Sequence, residues 1–354
     1  MSAPGRVNLI GEHLDYNGGP VLPFALERRT VVAAGPAVGW RLVSARDGVV
    51  HSGDPDAPGE GWTASVAGVI RVLARAGLAP QGGDLAIGST VPVGAGLSSS
   101  AALTVAVARA LTGLSAKRAA PELLAEVAYH AEHDEVGVKC GRMDQTIAAL
   151  GRAGHALLYE TASGRMEHVP LPGQVFVFET GVAHQLTGGH LNQRRQECEE
   201  ALRLVRQRGH QARTLAEIAE ADLPGLLREL PPPWSLRLRH VVTETARTRR
   251  AAAALAERDL VTVGGYLAAG MTSLQEDYQS SCPEADFLAV VLARAGAYGA
   301  RLTGAGWGGA VIALLPPKEE GRIVDDEARK WRASFDRPAV IWATRAAAGV
   351  RSEK

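Results

Sequence analysis

The chain has 354 residues, of which 46% are hydrophobic and 21% charged, values that are typical of a water-soluble globular protein. Acidic and basic residues balance at 38 each. This balance gives no broad attraction for nucleic acid or for an anionic membrane, so a small ligand is the expected partner. Because single hydrophobic cores usually stop growing at about 250–300 residues, the length predicts two domains.

In chain order, residue patterns predict strands at residues 6–10 and 29–34, a helix at 62–78, a strand at 84–91 and helices at 98–111 and 121–133. The second half predicts a strand at 175–179, helices at 193–207, 236–257, 260–273 and 283–295, and strands at 310–315 and 339–344. A polar turn at 170–175 separates the halves and predicts domains 1–172 and 173–354. Mixed strands and helices favour an α+β or α/β protein over a bundle or an all-β sandwich.

Cysteine usage and apolar patterning bear on the compartment. The three cysteines, Cys140, Cys198 and Cys282, are far apart, which argues against a disulfide framework and fits a reducing environment. No signal-peptide pattern and no apolar run of about 18 residues is apparent, so we expect a cytoplasmic protein. His130 and His133 stand at helical spacing, but without a CxxC or HExxH pattern we interpret them as a helix surface rather than a metal site.

The strongest local signal is a glycine- and serine-rich loop at residues 92–102, preceded by a predicted strand and followed by a predicted helix. Its candidate ligand-binding residues are Pro92, Gly94, Gly96, Leu97, Ser98, Ser99, Ser100 and Ala101. Glycines let the backbone approach a ligand, and a helix N-terminus offers free N–H groups and a positive dipole end to an anion. A turn that only caps the helix is the alternative, but this density of glycine and serine favours phosphate binding. No Gly-Lys-[Ser/Thr] follows, so the loop is not a Walker A motif.

A second glycine cluster, GAGWGG at residues 304–309, has the letters of a dinucleotide fingerprint. A strand-like segment follows it instead of a helix, which argues against a Rossmann dehydrogenase. The cluster instead predicts a loop whose backbone lies close to a ligand or to another loop.

Two further segments supply polar groups. Residues 5–19, GRVNLIGEHLDYNGG, place Glu12, His13 and Asp15 beside glycine turns, a density of donors and acceptors that suits a polyhydroxyl substrate. Residues 140–145, CGRMDQ, place the single carboxylate of Asp144 after a glycine.

Together, and in this order, residues 5–19, the loop at 92–102, the Gly-x-Met-Asp-Gln motif at 141–145 and the cluster at 304–309 resemble the galactokinase family of the GHMP kinases. Residues 194–199, 239–244 and 277–284 extend the resemblance over nearly the entire chain. It implies an α+β GHMP kinase two-domain fold. The N-terminal half would be like ribosomal protein S5 domain 2 and the C-terminal half ferredoxin-like, with the site between them.

The resemblance also implies roles for individual residues. Asp144 would accept the proton of the sugar hydroxyl, and Arg6 would offset charge on the transferring phosphoryl group. Ser100 and Glu132 would hold Mg²⁺, and Trp62 would line the adenine pocket of ATP. The sugar-binding positions are Glu12, His13, Asp15, Gly141 and Asp144. The expected enzyme is a monomer that converts ATP and galactose to galactose 1-phosphate and ADP.

Three departures from the family pattern fall near the sugar. Leu14 replaces a threonine and Arg142 an isoleucine. Leu191 replaces a tyrosine, so that one hydroxyl contact is either missing or supplied by His190 or Asn192. A kinase of the same mechanism for an amino-sugar, a pentose or a uronic acid is therefore the closest alternative, with Arg142 as the candidate partner of an acidic sugar. A catalytically silent sensor of galactose and ATP is disfavoured, because the phosphate loop and the catalytic pair are intact.

Overall fold

The computed structural model describes residues 1–56, 59–182 and 189–353. Its strands are Ser2–Asn8 (β1), Pro20–Val21 (β2), Pro23–Gly35 (β3), Trp40–Ser44 (β4), Val50–Ser52 (β5), Gly83–Ser89 (β6), His155–Glu160 (β7), Arg165–Pro170 (β8), Val175–Glu179 (β9), Gly299–Thr303 (β10), Ala310–Leu314 (β11) and Val340–Thr344 (β12). Its α-helices are Gly61–Arg75 (α1), Ser99–Leu114 (α2), Pro121–His130 (α3), Met143–Leu150 (α4), His190–Gln207 (α5), Leu223–Glu229 (α6), Trp234–Ala256 (α7), Leu260–Ser273 (α8), Pro283–Ala295 (α9) and Glu320–Phe335 (α10).

The first half is built on a five-stranded sheet with the order β1-β3-β6-β4-β5, antiparallel except where β4 pairs with β6. Helices α1 to α4 pack together, and α2 and α4 both contact strands β1 and β3. The sequence of α2 is rich in alanine and valine, and its segment from Ala101 to Ala108 is buried throughout. Small side chains let this helix lie close to the sheet, which brings its N-terminus to the edge of the core.

The second half contains a four-stranded antiparallel sheet with the order β10-β11-β9-β12, and α8 and α9 both pack against β10. A three-stranded sheet, β2-β7-β8, joins the two halves. The chain passes from β8 to β9 at residues 171–174, and the domain division predicted at residues 172 and 173 lies in this connection. Hydrophobic core residues of the two halves nevertheless pack together, since Leu14 and Ile147 belong to the same buried cluster as Phe178 and Leu302. The division into two domains therefore stays a prediction.

Several predicted elements agree with the structure, among them the strand at 175–179 and the helices at 260–273 and 283–295. The helix predicted at 121–133 ends earlier, at His130, and continues as a π-helical turn, Ala131–Val136. The elements that were not predicted are strands β2, β4, β5, β7, β8 and β10 and helices α4, α6 and α10. Among the described residues, no helix is both long and apolar enough to cross a membrane.

Candidate active site

A cavity between the two halves collects most of the residues singled out from the sequence. Those that line it are Arg6, Glu12, His13, Asp15, Gly94, Gly96, Leu97, Ser98, Ser99, Ser100, Glu132, Gly141 and Asp144. They come from the end of β1 and the loop after it, from the loop before α2, from the π-helical turn and from the start of α4. Gly304 and Ala305, from the loop after β10, add a contribution of the second half.

Three predicted nucleotide-binding residues lie outside this lining, as far as the described residues define it. The Trp62 indole, in the first turn of α1, donates to Asp47 Oδ2 at 3.1 Å and meets the His51 ring edge-to-face. Pro92 is the first residue of the glycine- and serine-rich loop, and Ala101 is fully buried in α2. The adenine-binding role of Trp62 therefore stays a prediction.

The glycine-rich loop reaches the N-terminus of α2 through three left-handed residues. Gly94 has φ 79°, Gly96 φ 71° and Ser98 φ 58°. The second glycine cluster packs on this loop backbone to backbone, because a Cβ at Gly304 would lie 2.7 Å from the carbonyl oxygen of Gly96. The second glycine cluster therefore lies close to another loop, as expected from the sequence. The element that follows it is strand β11 and not a helix.

Asp144 is held from two sides. The Arg6 guanidinium binds its carboxylate through two hydrogen bonds, Nε to Oδ1 at 2.8 Å and Nη2 to Oδ2 at 2.9 Å. Ser98 Oγ also donates to Oδ2, and Arg6 Nη1 donates to the carbonyl of Gly96. A two-point arginine–carboxylate contact fixes orientation as well as charge. The left-handed turn at Ser98 therefore ties the carboxylate directly to the glycine- and serine-rich loop.

Glu132 and Ser100 meet on the same side of the cavity. Burial raises the pKa of the Glu132 carboxyl to about 7, while hydrogen bonds from Ser100 and from Gln145 oppose that effect. A carboxylate and a hydroxyl are the hard oxygen ligands that Mg²⁺ prefers, and this ion commonly takes only one or two protein ligands and fills its shell with water and phosphate oxygens. The described residues contain no cluster of three or more acidic, histidine or cysteine ligands. The pair fits Mg²⁺ shared with a nucleotide and does not fit a closed metal cage.

Asp15 and Gly141 lie side by side in the lining of the cavity. The backbone N–H of Tyr16 donates to Asp15 Oδ1 at 3.0 Å. Burial raises the pKa of Asp15 to about 6, with the nearby charge of Asp144 acting in the same direction. Gly141 packs directly on this carboxylate, since a Cβ at Gly141 would lie 1.9 Å from Asp15 Oδ2.

His13 presents an unsatisfied polar atom at the cavity. Its backbone is left-handed, with φ 65°, a conformation that costs a non-glycine residue about 1–3 kcal/mol and is common at functional sites. The ring Nδ1 lies 2.7 Å from the Tyr16 hydroxyl, whereas Nε2 is buried without a hydrogen-bond partner among the described residues. Buried polar groups are nearly always paired, so Nε2 requires a partner from the ligand.

Glu12 belongs to a fully buried charge network that the sequence did not reveal. Arg301, on β10, contacts Glu12 Oε2 at 2.5 Å and Glu244 Oε1 at 2.8 Å. Glu244 Oε1 also accepts from the backbone N–H of Gly11 at 3.0 Å, and Glu244 Oε2 pairs with Arg247. Burial raises the pKa of Glu12 to about 7. The network connects the loop after β1 to the second half of the chain and so fixes the cavity wall.

Of the three departures noted in the sequence, only Leu191 lines the cavity. Leu14 is fully buried in the shared core. The Arg142 guanidinium pairs with Glu126 and lies 4.2 Å over the Tyr129 ring, outside the lining formed by the described residues. The expectation that Arg142 marks an acidic sugar is therefore not supported by its position. His190 is one of the two residues considered as a substitute for the missing tyrosine contact. Its ring stacks on Trp307, with ring centroids 5.4 Å apart.

Comparisons with known proteins agree with these features. Residues 1–36 match the galactokinase galactose-binding signature, residues 64–152 the GHMP kinases N terminal domain and residues 251–333 the GHMP kinases C terminal domain. A galactokinase of Roseiflexus sp. is 42% identical over 99% of this chain and 92% of its own length. A galactokinase of Chloroflexus aurantiacus is 45% identical over 88% of this chain and 83% of its own length.

Solved structures extend the likeness to the whole fold. The crystal structure of Lactococcus lactis galactokinase complexed with galactose superposes with a TM-score of 0.92, at 29% identity, over 98% of this chain and 93% of that one. Methanococcus jannaschii mevalonate kinase shares the fold, with a TM-score of 0.71 at 17% identity. These matches confirm the predicted GHMP kinase two-domain α+β fold and the family resemblance. The chain belongs to the galactokinase family of the GHMP kinases.

Proposed function

We propose that the chain transfers the γ-phosphoryl group of ATP to the anomeric hydroxyl of galactose, giving galactose 1-phosphate and ADP. One observation carries the proposal: the Arg6–Asp144 pair lies in the same cavity as the N-terminus of α2 and the unpartnered Nε2 of His13. A proton acceptor, an anion site and a hydrogen-bonding partner for a hydroxyl ligand are thus within one small space.

The transfer itself needs one proton acceptor and charge stabilisation. As the sugar oxygen forms its bond to the γ-phosphorus, its proton passes to the Asp144 carboxylate, and the bond between that phosphorus and the β,γ-bridging oxygen breaks with its electron pair left on ADP. Arg6 holds the carboxylate in one orientation and its positive charge offsets charge on the phosphoryl group in transit. A loose transition state needs little help from a base, so positioning and electrostatics supply most of the acceleration.

The nucleotide end uses the loop before α2. Backbone N–H groups at Gly94, Gly96 and Leu97, with the hydroxyls of Ser98, Ser99 and Ser100 and the helix N-terminus at Ala101, bind the phosphates. Ser100 and Glu132 would hold Mg²⁺, which when bound neutralises charge on the phosphate oxygens. Burial raises the pKa of Glu132 to about 7, so a cation beside it would favour its ionised form. Trp62 and Pro92 would contribute to the adenine side of this site.

Sugar recognition combines donors and acceptors. Asp15, Glu12 and Asp144 accept hydrogen bonds from sugar hydroxyls, the His13 ring is a partner through Nε2, and Gly141 leaves the room that Asp15 needs. A neutral hexose fits this set. No described feature of the cavity favours a uronic acid, since the Arg142 guanidinium is paired with Glu126.

We further propose that the enzyme is monomeric and acts in the cytoplasm. Its three free cysteines fit a reducing compartment. Its expected partners are ATP and a small sugar, with neither nucleic acid nor membrane, in keeping with the balance of acidic and basic residues.

The test is ADP release with ATP and Mg²⁺ across galactose, talose, N-acetylgalactosamine, arabinose and galacturonate. Galactose should give the highest kcat/KM, and galacturonate should give no turnover. A protein that prefers another sugar would contradict the assignment of galactose. Absence of turnover with every sugar would contradict the assignment as a kinase.

A further inference from the structure

A row of hydrogen-bonding side chains runs from the His13 imidazole into the core of the second half. Tyr16 Oη lies 2.7 Å from His13 Nδ1 and 2.8 Å from Tyr278 Oη, which in turn lies 3.3 Å from Cys198 Sγ. We call Tyr16, Tyr278 and Cys198 the hydroxyl–thiol row. The Tyr278 ring also stacks on the imidazole, with centroids 4.1 Å apart.

Every member of the row keeps its proton at neutral pH. Burial raises the pKa of both tyrosyl hydroxyls well above their ordinary value. Burial likewise raises the pKa of the Cys198 thiol to about 11. Burial lowers the pKa of the His13 imidazole well below its ordinary value, so that the ring is neutral and carries a single N–H.

Each of the three contacts needs one proton, and only two arrangements let both tyrosyl hydroxyls donate within the row. In the others, one tyrosyl hydroxyl accepts twice and its own proton points out of the row. In the first, the Cys198 S–H donates to Tyr278, Tyr278 donates to Tyr16, and Tyr16 donates to His13 Nδ1, which leaves the ring proton on Nε2. In the second, every bond is reversed, and the ring proton sits on Nδ1. The state of the row thus decides which tautomer of His13 faces the cavity.

The chemistry of the row favours the first arrangement. If Tyr278 donated to the Cys198 sulfur, the Cys198 S–H would lose its only acceptor in the row. Phenol hydroxyls are also better donors than acceptors, and the pyridine-type nitrogen of imidazole is a strong acceptor. Both points direct the Tyr16 O–H toward Nδ1.

We propose that the hydroxyl–thiol row holds His13 in the Nε2–H tautomer, so that the pocket presents an N–H donor beside the Asp15 acceptor. A sugar hydroxyl both donates and accepts, and this pair satisfies both functions at once. In the opposite tautomer, two acceptors would face a hydroxyl that has one proton. Tyr16, Tyr278 and Cys198 are then positioning residues for sugar recognition, an inference that rests on the proposed function.

The experiment reads the tautomer directly in the free protein labelled with ¹⁵N-histidine. The two ring nitrogens of a neutral imidazole resonate far apart, and the His13 signals are assigned by their loss in His13→Gln. We expect the wild type to carry its proton on Nε2. Tyr16→Phe removes the donor to Nδ1 and should leave a mixture of the two tautomers, whereas Tyr278→Phe leaves Nδ1 as the acceptor for Tyr16 and should keep the wild-type state.

Kinetics give a second readout. Tyr16→Phe should raise the KM for galactose by about fivefold or more, the effect of a mismatched buried hydrogen bond, while the KM for ATP stays near wild type. Tyr266→Phe is the matched control, because Tyr266 lies on α8 outside the cavity lining that the described residues form.

Two results would overturn the inference. One is a wild-type His13 that carries its proton on Nδ1, a measurement that needs no variant to fold. The other is a tautomer that stays the same in Tyr16→Phe. A protein with the Nε2–H tautomer that phosphorylates no sugar would reject the proposed function and not the role of the row.

Discussion

Gly141→Ala should disable sugar binding without touching any reacting group. The added Cβ would start 1.9 Å from Asp15 Oδ2, 2.3 Å from Cγ and 2.9 Å from Cβ. Carbon atoms of this kind essentially never approach within 3.0 Å, so the carboxylate oxygen must move by at least about 1.1 Å. Such a shift breaks a hydrogen bond between a charged group and the sugar, worth about 1.5–3 kcal/mol. This predicts a fall in kcat/KM for galactose of about 10- to 150-fold, at about 1.4 kcal/mol per factor of ten.

Steady-state kinetics with galactose and ATP varied in turn would test this prediction. The loss should appear mainly in the KM for galactose, with the KM for ATP unchanged, because Gly141 contacts Asp15 and not the phosphate loop. Gly265→Ala is the matched control, since no atom lies within 4 Å of a Cβ placed there. That change on exposed α8 should leave the kinetics unaltered and stabilise the helix by about 1 kcal/mol. A Gly141→Ala enzyme with wild-type KM for galactose would refute the reasoning.

Three further predictions concern catalysis, pH and stability. Asp144→Asn keeps the side-chain shape but removes the proton acceptor, so kcat should fall about 100- to 10,000-fold. The circular dichroism spectrum should stay unchanged. Near-normal turnover would contradict the role of Asp144. Because burial raises the pKa of Asp15 to about 6, kcat/KM for galactose should fall as the pH drops through about 6, when protonation replaces an acceptor by a donor. In Asp15→Asn this acidic fall in kcat/KM should disappear. An unchanged fall would show that another group causes it. Arg301→Met leaves Glu12 and Glu244 buried without their shared counter-ion, so urea denaturation should show a loss of about 3–5 kcal/mol; an unchanged midpoint would show that the network contributes nothing to stability.

Local patterns in the sequence were sufficient for the long, strongly patterned elements. The helix α8 and the strand β9 were predicted with their observed bounds, because apolar residues follow the helical or strand period without interruption. The strand β10 was missed because glycine and Arg301 break the apolar pattern of a strand. In the structure that arginine is buried against two carboxylates, a compensation that only tertiary contacts supply. The sequence offered one signal for this buried contact, the charged residue Arg301 between apolar neighbours.

The candidate site was predicted well where short motifs carry it and poorly where distant segments meet. The phosphate loop, Asp144 and the 5–19 segment were all identified, and the structure brings them to one cavity. Arg142 departs from the family pattern in the motif that contains Asp144, and this departure predicts a place near the sugar. In the structure Arg142 lies at the start of α4, and its side chain contacts Glu126 and Tyr129. The contact of Tyr278 with Tyr16 joins residues 262 positions apart, which no local pattern could reveal.

The most direct test of the central claim follows the oxygen that receives the phosphoryl group. Galactose labelled with ¹⁸O at C1 is incubated with ATP, Mg²⁺ and the wild-type enzyme, and the products are examined by ³¹P NMR. Transfer to the anomeric hydroxyl predicts a single new phosphomonoester that retains ¹⁸O at the bridge between C1 and phosphorus, formed far more slowly by Asp144→Asn. A product phosphorylated at another hydroxyl, or ADP formed with no sugar phosphate, would contradict the account.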